Sequence, residues 1–240
     1  MILITRLRED NKTIQKNLSL LKIKSLSEPI YKIKFLSKAL HEEENKIFIV
    51  VSKQTVRAIK HNRNFKQIKK SVFVAVGKQT SLELKRIGLN VKFFAINSSD
   101  LISKIKKNKL HKQNSFEYLC GNYFNKDFMT QVRKLNKKSK KNVLYNIIPN
   151  KKFSKNTLVH LKNQKVKMVL LFSKLACKTF LKIYRAHKLE TSTIKEIHFL
   201  SLSKEIAQSL KNKKYKVSWA RSPQLQSLLK KVSSIYPSLL

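Results

Sequence analysis

The feature that most constrains this chain is a series of short apolar runs without polar alternation, each followed by a stretch of helical periodicity. Ile47 to Val51 and Val72 to Val76 are apolar throughout, and Val166 to Phe172 is interrupted only by Lys167. Runs of this kind read as strands covered on both faces, the habit of parallel sheets. Ile2 to Ile4, Val91 to Ile96, Phe116 to Cys120, Val143 to Ile148, Ile197 to Leu202 and Tyr215 to Ala220 complete the set. Ile14, Leu18 and Leu21 mark one face of a first helix, and Leu225, Leu228, Leu229 and Val232 mark one near the end. Strands alternating with helices of this length give an α/β protein with parallel sheets.

The pattern also repeats. Ile47-Phe-Ile-Val-Val-Ser52-Lys53 resembles Val169-Leu-Leu-Phe-Ser173-Lys174, each a strand that ends in Ser-Lys and opens a helix. Val72 to Thr80, the helix through Leu84, and Val91 onward run parallel to Ile197 to Glu205, the helix through Leu210, and Val217 to Ala220. Two similar α/β halves follow. Ile30 to Leu36 and Tyr145 to Phe153 are extended in pattern and lie where the repeat begins and ends, so they read as crossings between two domains. The expected layout is a discontinuous domain of residues 1–33 and 153–240, an inserted domain of residues 37–145, and linkers at about 30–37 and 145–153.

Charge bears on partners. The 240 residues hold 53 Lys and Arg against 13 Asp and Glu, a formal net charge of +40. Such an excess raises nucleic acid as a partner. Yet the basic residues are mostly Lys and are spread from Lys12 to Lys231 without a dominant block, which favours diffuse compositional charge over a specific nucleic-acid footprint. A basic, non-enzymatic RNA-binding protein is the competing reading. Its nearest candidate segment is Lys134 to Lys141, which otherwise reads as a solvated loop between helix and strand.

Cys120 and Cys177 are far apart in apolar surroundings and read as buried thiols of a reducing compartment. The first apolar run stops at Thr5, and no run approaches the roughly 18 apolar residues of a membrane span. A cytoplasmic protein without a membrane partner is expected. No Ser/His/Asp order, paired apolar carboxylates, phosphate loop or metal spacing stands out, and His198, inside a strand, reads as structural.

Seven segments, in order, resemble the uroporphyrinogen-III synthase family. Ile2-Leu-Ile-Thr5-Arg6-Leu7 is similar to the family's opening strand and Thr-Arg-Pro, with Leu7 for Pro. Glu28-Pro29-Ile30-Tyr31-Lys32-Ile33 looks like the second strand and its exit. Ile49-Val-Val51-Ser52-Lys53-Gln54-Thr55-Val56-Arg57-Ala58 resembles a strand, Thr-Ser and helix start. Ala75-Val76-Gly77-Lys78-Gln79-Thr80 with Arg86-Ile87-Gly88-Leu89 is the strongest match. Tyr118-Leu119-Cys120-Gly121-Asn122, the linker position of Tyr145, and Ala220-Arg221-Ser222-Pro223 complete it.

The resemblance implies two flavodoxin-like domains joined by two extended linkers, with the active site in the cleft between them. It implies an enzyme that cyclises hydroxymethylbilane to uroporphyrinogen III with ring D inverted, without cofactor or metal. A cytoplasmic monomer, supplied by hand-over from hydroxymethylbilane synthase, is expected. The substrate bears many carboxylates, and strand ends that turn into helices offer free amides and a positive dipole for anions. Thr5, Arg6, Ser52, Gly77, Thr80, Gly121, Ser173, Ser203 and Ser222 are the candidate binding residues at such ends. For Ser and Gly the competing role is a helix cap; for Thr80 it is back-bonding within the first turn. Tyr145 is the candidate proton donor, or else a packed ring with a wet tip. Arg8, Lys53, Lys78, Lys174 and Lys204 also stand near strand ends. A decayed, inactive member of the family is a further alternative: three glycines remain, and Ser203-Lys204-Glu205-Ile206 stands where a second Gly-x-x-Thr is expected.

Overall fold

The computed structural model describes residues 1–211 and 215–239. From the N-terminus, β1 (Ile2–Ile4), α1 (Arg8–Leu20), β2 (Ser25–Ser27) and β3 (Tyr31–Phe35) lead into β4 (Lys46–Val50), α2 (Lys53–Lys60), β5 (Val72–Val76), α3 (Lys78–Arg86), β6 (Asn90–Ala95) and α4 (Ser98–Lys107). Then come β7 (Ser115–Gly121), α5 (Lys126–Leu135) and β8 (Lys140–Pro149), followed by α6 (Lys155–Lys162), β9 (Met168–Leu171) and α7 (Lys174–Ala186). The chain ends through α8 (Thr191–Glu196), β10 (His198–Ser201), α9 (Lys204–Lys211), β11 (Lys216–Trp219) and α10 (Leu225–Ile235).

The chain divides into two compact units, one of residues Met1–Lys32 with Ile148–Leu240 and one of Ile33–Ile147. The first holds a sheet of order β11-β10-β9-β1-β2, paired in parallel throughout. In chain order within the unit this is the flavodoxin-like sequence 2-1-3-4-5. The second unit's sheet runs β3-β8-β7-β4-β5-β6, with β4 to β8 parallel. Without β3, its order β8-β7-β4-β5-β6 corresponds position for position to β2-β1-β9-β10-β11. The same arrangement is therefore entered by the chain at a different strand, and the Ile47 and Val169 runs of the repeat, β4 and β9, occupy equivalent central places.

Apolar runs without alternation form these central strands because both faces are covered. In the first unit Leu3, Val169, Leu171 and Phe199 pack with Phe180 and Leu210 on one face, while Ile2, Ile4, Met168, Leu170 and Leu200 pack with Ile14, Leu18, Leu228 and Val232 on the other. In the second, Phe48, Val50, Phe73 and Ala75 meet Val56, Ile59 and Leu84, and Ile47, Ile49 and Val74 meet Leu101, Ile105, Phe128 and Val132. Burial of each such side chain is worth about 1.5–3 kcal/mol. A polar exception lies at the start of β4: Lys46, 6% exposed, pairs at 3.2 Å with Glu117 of β7, 3% exposed, which also accepts from Asn142 at 2.7 Å.

Two expectations need correction. The second strand of the first sheet is Ser25–Ser27, not Glu28 to Ile33. Glu28 instead turns its carboxylate to α6, where it accepts from the Ser154 N–H, the Ser154 hydroxyl at 2.6 Å and the Thr157 hydroxyl. Leu21 lies outside α1, as its C-cap, and is 44% exposed. The Lys134 to Lys141 segment is the end of α5, a short loop and the start of β8. Asn150 N–H donates to Ile30 O and Leu36 N–H to Leu144 O, so β3 and β8, the segments read as crossings, run antiparallel. Both thiols are buried, and among the described residues no helix is long and apolar enough to cross a membrane.

Candidate active site

In the second unit a cluster of hydroxyls lies beside the ends of β4 and β7 and against β8. Ser52 follows β4 and caps α2, its Oγ accepting from the Thr55 N–H at 3.1 Å. The same Oγ lies 2.9 Å from Thr55 Oγ1 and 3.2 Å from Tyr145 Oη. Tyr145 was expected in a linker, as a proton donor or else as a packed ring with a wet tip; it sits within β8 instead and is 5% exposed. Burial pushes its phenol above the usual range for tyrosine, and the neighbouring Ser52 and Thr55 hydroxyls oppose that shift. The phenol is thus a neutral donor at neutral pH.

Gly121 explains how the ring fits. It is the register partner of Tyr145, beyond an irregularity in the β7–β8 ladder, and a Cβ on it would stand 2.5 Å from the Tyr145 ring. The expectation that Gly121 opens a helix is corrected: α5 begins at Lys126, capped by Asn125, and Gly121 serves as the floor beneath the ring.

Gly77 ends β5 and opens α3 with φ +87°, a conformation that only glycine adopts without strain. Its N–H donates to Ala95 O at 2.8 Å. Having no side chain, it leaves the first turn of α3 without a side-chain cap. Thr80 lies in that turn, 6% exposed, and among the described residues its hydroxyl neither back-bonds nor finds another partner. First-turn amides without a side-chain cap, beside a hydroxyl, are groups of the kind that can bind a carboxylate. Lys53 is engaged with Glu83 at 3.2 Å, and Lys78 is exposed.

The corresponding strand ends of the first unit are occupied differently. Thr5 is fully buried and donates to Leu170 O at 2.7 Å, which ties β1 to β9 and leaves no side-chain donor for a solute. Arg6 pairs with Asp10 at 3.0 Å and stacks over Phe172 at 5.0 Å, and Arg8 is exposed at the start of α1. Ser173 caps α7 by accepting from Ala176 N–H at 3.0 Å, and Ser203 accepts from Ile206 N–H at 3.4 Å. Lys174 pairs with Glu205 at 2.6 Å, while Lys204 is exposed. Ser222, expected at a helix start, lies three residues before α10 and donates its N–H to Ser227 Oγ at 3.0 Å. His198 shares a hydrogen bond with Ser218 across β10 and β11.

Sequence reasoning missed Thr55, which is fully buried and joined to Ser52, because a threonine in a first helical turn carries no signal of its own. Ser52, Gly121 and Tyr145 converge within one unit; Gly77 and Thr80 follow β5, the strand next to β4 in the same sheet, at the opening of α3. Among the described residues no group of three or more His, Cys, Asp or Glu is gathered as for a metal ion.

Comparison with known proteins bears on the family and the fold. A family model described as uroporphyrinogen-III synthase HemD matches residues 12–230. The uroporphyrinogen-III synthetase structure from Helicobacter pylori is similar with a TM-score of 0.68 and 17% identity, over 98% of each chain. A mutant uroporphyrinogen III synthase from Thermus thermophilus is similar with a TM-score of 0.58 and 12% identity, over 99% of this chain and 98% of that one. No curated protein matches in sequence.

Proposed function

The chain belongs to the uroporphyrinogen-III synthase family, and from that premise we propose that it cyclises and dehydrates hydroxymethylbilane to uroporphyrinogen III, inverting ring D, as a lyase of tetrapyrrole biosynthesis. The observation that carries this reading is Tyr145, a neutral phenol held at 3.2 Å from Ser52 beside the ends of β4 and β7.

Tyr145 donates its proton to the bilane hydroxyl. The C–O bond breaks, its electron pair leaves with water, and the pyrrole nitrogen supplies the pair that forms an azafulvenium. The substituted carbon of ring D then attacks, and the spiro intermediate fragments and recloses with the ring reversed. The hydrogen lost from the free α-carbon of ring D returns the proton to the phenolate. Departure of water is driven by the pyrrole itself, so the residues' main work is to fix which carbon attacks, a matter of orientation and charge. Thr80 and the amides opening α3 hold one substrate carboxylate; Ser52 adds a hydroxyl beside Tyr145. Arg6, Ser173, Ser203 and Ser222 contribute backbone and charge at the other unit's strand ends, and Thr5 holds those ends together. The protein works as a cytoplasmic monomer and takes the bilane by hand-over from hydroxymethylbilane synthase.

Free bilane closes unaided to the symmetric isomer I, since head-to-tail attack needs no inversion. Purified protein mixed with fresh bilane is expected to shift the product to isomer III, read by chromatography after oxidation, and high salt is expected to weaken the shift where carboxylates are held at exposed sites. Isomer I alone, from folded protein, would overturn the reading.

A further inference from the structure

Thr55 has a hydroxyl that the helix does not need. The cap of α2 is complete with Ser52 Oγ and the Thr55 N–H, and the Thr55 methyl alone would suit its fully buried place. Its Oγ1 nonetheless lies 2.9 Å from Ser52 Oγ and reaches Leu119 O at 3.5 Å, so that four groups stand in a row: Tyr145 Oη, Ser52 Oγ, Thr55 Oγ1 and Leu119 O. We infer that Thr55 is a positioning residue which, through Ser52, forms a reversible hydroxyl chain that turns the Tyr145 proton outward and steadies the phenolate left when it is given up.

The direction of donation follows from the ends of the row. Leu119 O only accepts, and one lone pair of Ser52 Oγ already takes the Thr55 N–H. At rest Thr55 donates to Leu119 O, Ser52 to Thr55, and Tyr145 to Ser52, with the phenol proton facing inward. For Tyr145 to protonate a bilane hydroxyl the row reverses: Thr55 donates to Ser52 and Ser52 to Tyr145. The C–O bond then breaks, water departs with the Tyr145 proton, and the phenolate is met by a donor already in place. The bond given up in the reversal is the long one at 3.5 Å to Leu119 O, the weakest of the three. Donors aimed at a developing negative oxygen in a buried place are the arrangement that lowers a barrier most. Burial raises the Tyr145 phenol and the two hydroxyls oppose it, in keeping with that role.

This inference rests on Tyr145 being the proton donor, and its test separates the two. Thr55→Val removes the hydroxyl at nearly constant shape; Thr55→Ala serves if valine disturbs the fold, and Thr55→Ser restores the chain. In protein carrying carbon-labelled tyrosine, the Tyr145 signal is assigned by its loss in Tyr145→Phe and followed through alkaline pH. The expected result is a Tyr145 midpoint at higher pH in Thr55→Val, a turnover about tenfold lower with KM unchanged, and recovery of both in Thr55→Ser. An unmoved midpoint and turnover in folded Thr55→Val, while Tyr145→Phe is slow, would overturn the inference alone. Full turnover in Tyr145→Phe would remove the donor role and this inference with it.

Discussion

The two units share one strand order and one capped helix each after the central strand, Ser52 on α2 and Ser173 on α7, but use their other strand ends differently. In the first unit the polar groups there are satisfied by the protein itself: Thr5 by Leu170 O, Ser173 by the α7 amides, Arg6 by Asp10 and Lys174 by Glu205. In the second, α3 opens without a side-chain cap, Thr80 keeps a hydroxyl free among the described residues, and Tyr145 lies over a glycine that exists to admit it. Equivalent positions in a repeated fold are therefore not equivalent chemically. Where Ser stands in place of Gly at the opening of a helix, the helix gains a cap, and one of its first-turn amides is taken up.

Gly121→Ala gives the sharpest way to break this comparison. The new methyl meets the Tyr145 ring at 2.5 Å, so the ring or the strand must shift. Overpacking of this kind costs about 1–3 kcal/mol, and thermal unfolding should fall accordingly, with turnover falling further because the hydroxyl leaves Ser52. Alanine at Gly121 with normal stability and turnover would show that the close packing is not what sets the ring.

A smaller contrast comes from Thr80→Ala and Ser173→Ala. The first should raise KM about tenfold with little change in stability, the loss of one hydrogen bond to a charged group. The second should lower stability by about 1 kcal/mol, the worth of a helix cap, with KM unchanged. Equal effects of the two on KM would erase the distinction between the units.

The strands were legible because apolar runs covered on both faces leave a plain mark, and the repeat between Ile47 and Val169 carried through to equivalent central strands. β2 was not. Ser25-Leu26-Ser27 has one apolar residue and three ladder positions against β1, and its place is set by tertiary pairing. Glu28 drew the reading toward itself, although its partners Ser154 and Thr157 are 126 and 129 residues away and leave no local trace. The site was half legible for the same reason. Gly77 and Thr80 belong to one turn, and one segment of the family resemblance holds both. Gly121, Ser52, Thr55 and Tyr145 come together only through the register of β7 with β8 and of β4 with β7. A strand-end glycine read locally suggests a helix start; read across the ladder, it is room for a ring.

The most direct test of the central claim, that the chemistry resides at the second unit's hydroxyl cluster, is turnover of fresh bilane by Tyr145→Phe beside Ser203→Ala at saturating substrate. Removing the phenol oxygen leaves the ring in its place and should lower turnover about 10²-fold while the protein stays folded, since a positioned proton donor is typically worth that much. Ser203→Ala, which removes the hydroxyl acceptor at the first unit's strand end equivalent to that of Gly77, should leave turnover within about twofold of the starting protein. Full turnover in Tyr145→Phe, or an equal loss in both variants, would contradict the account.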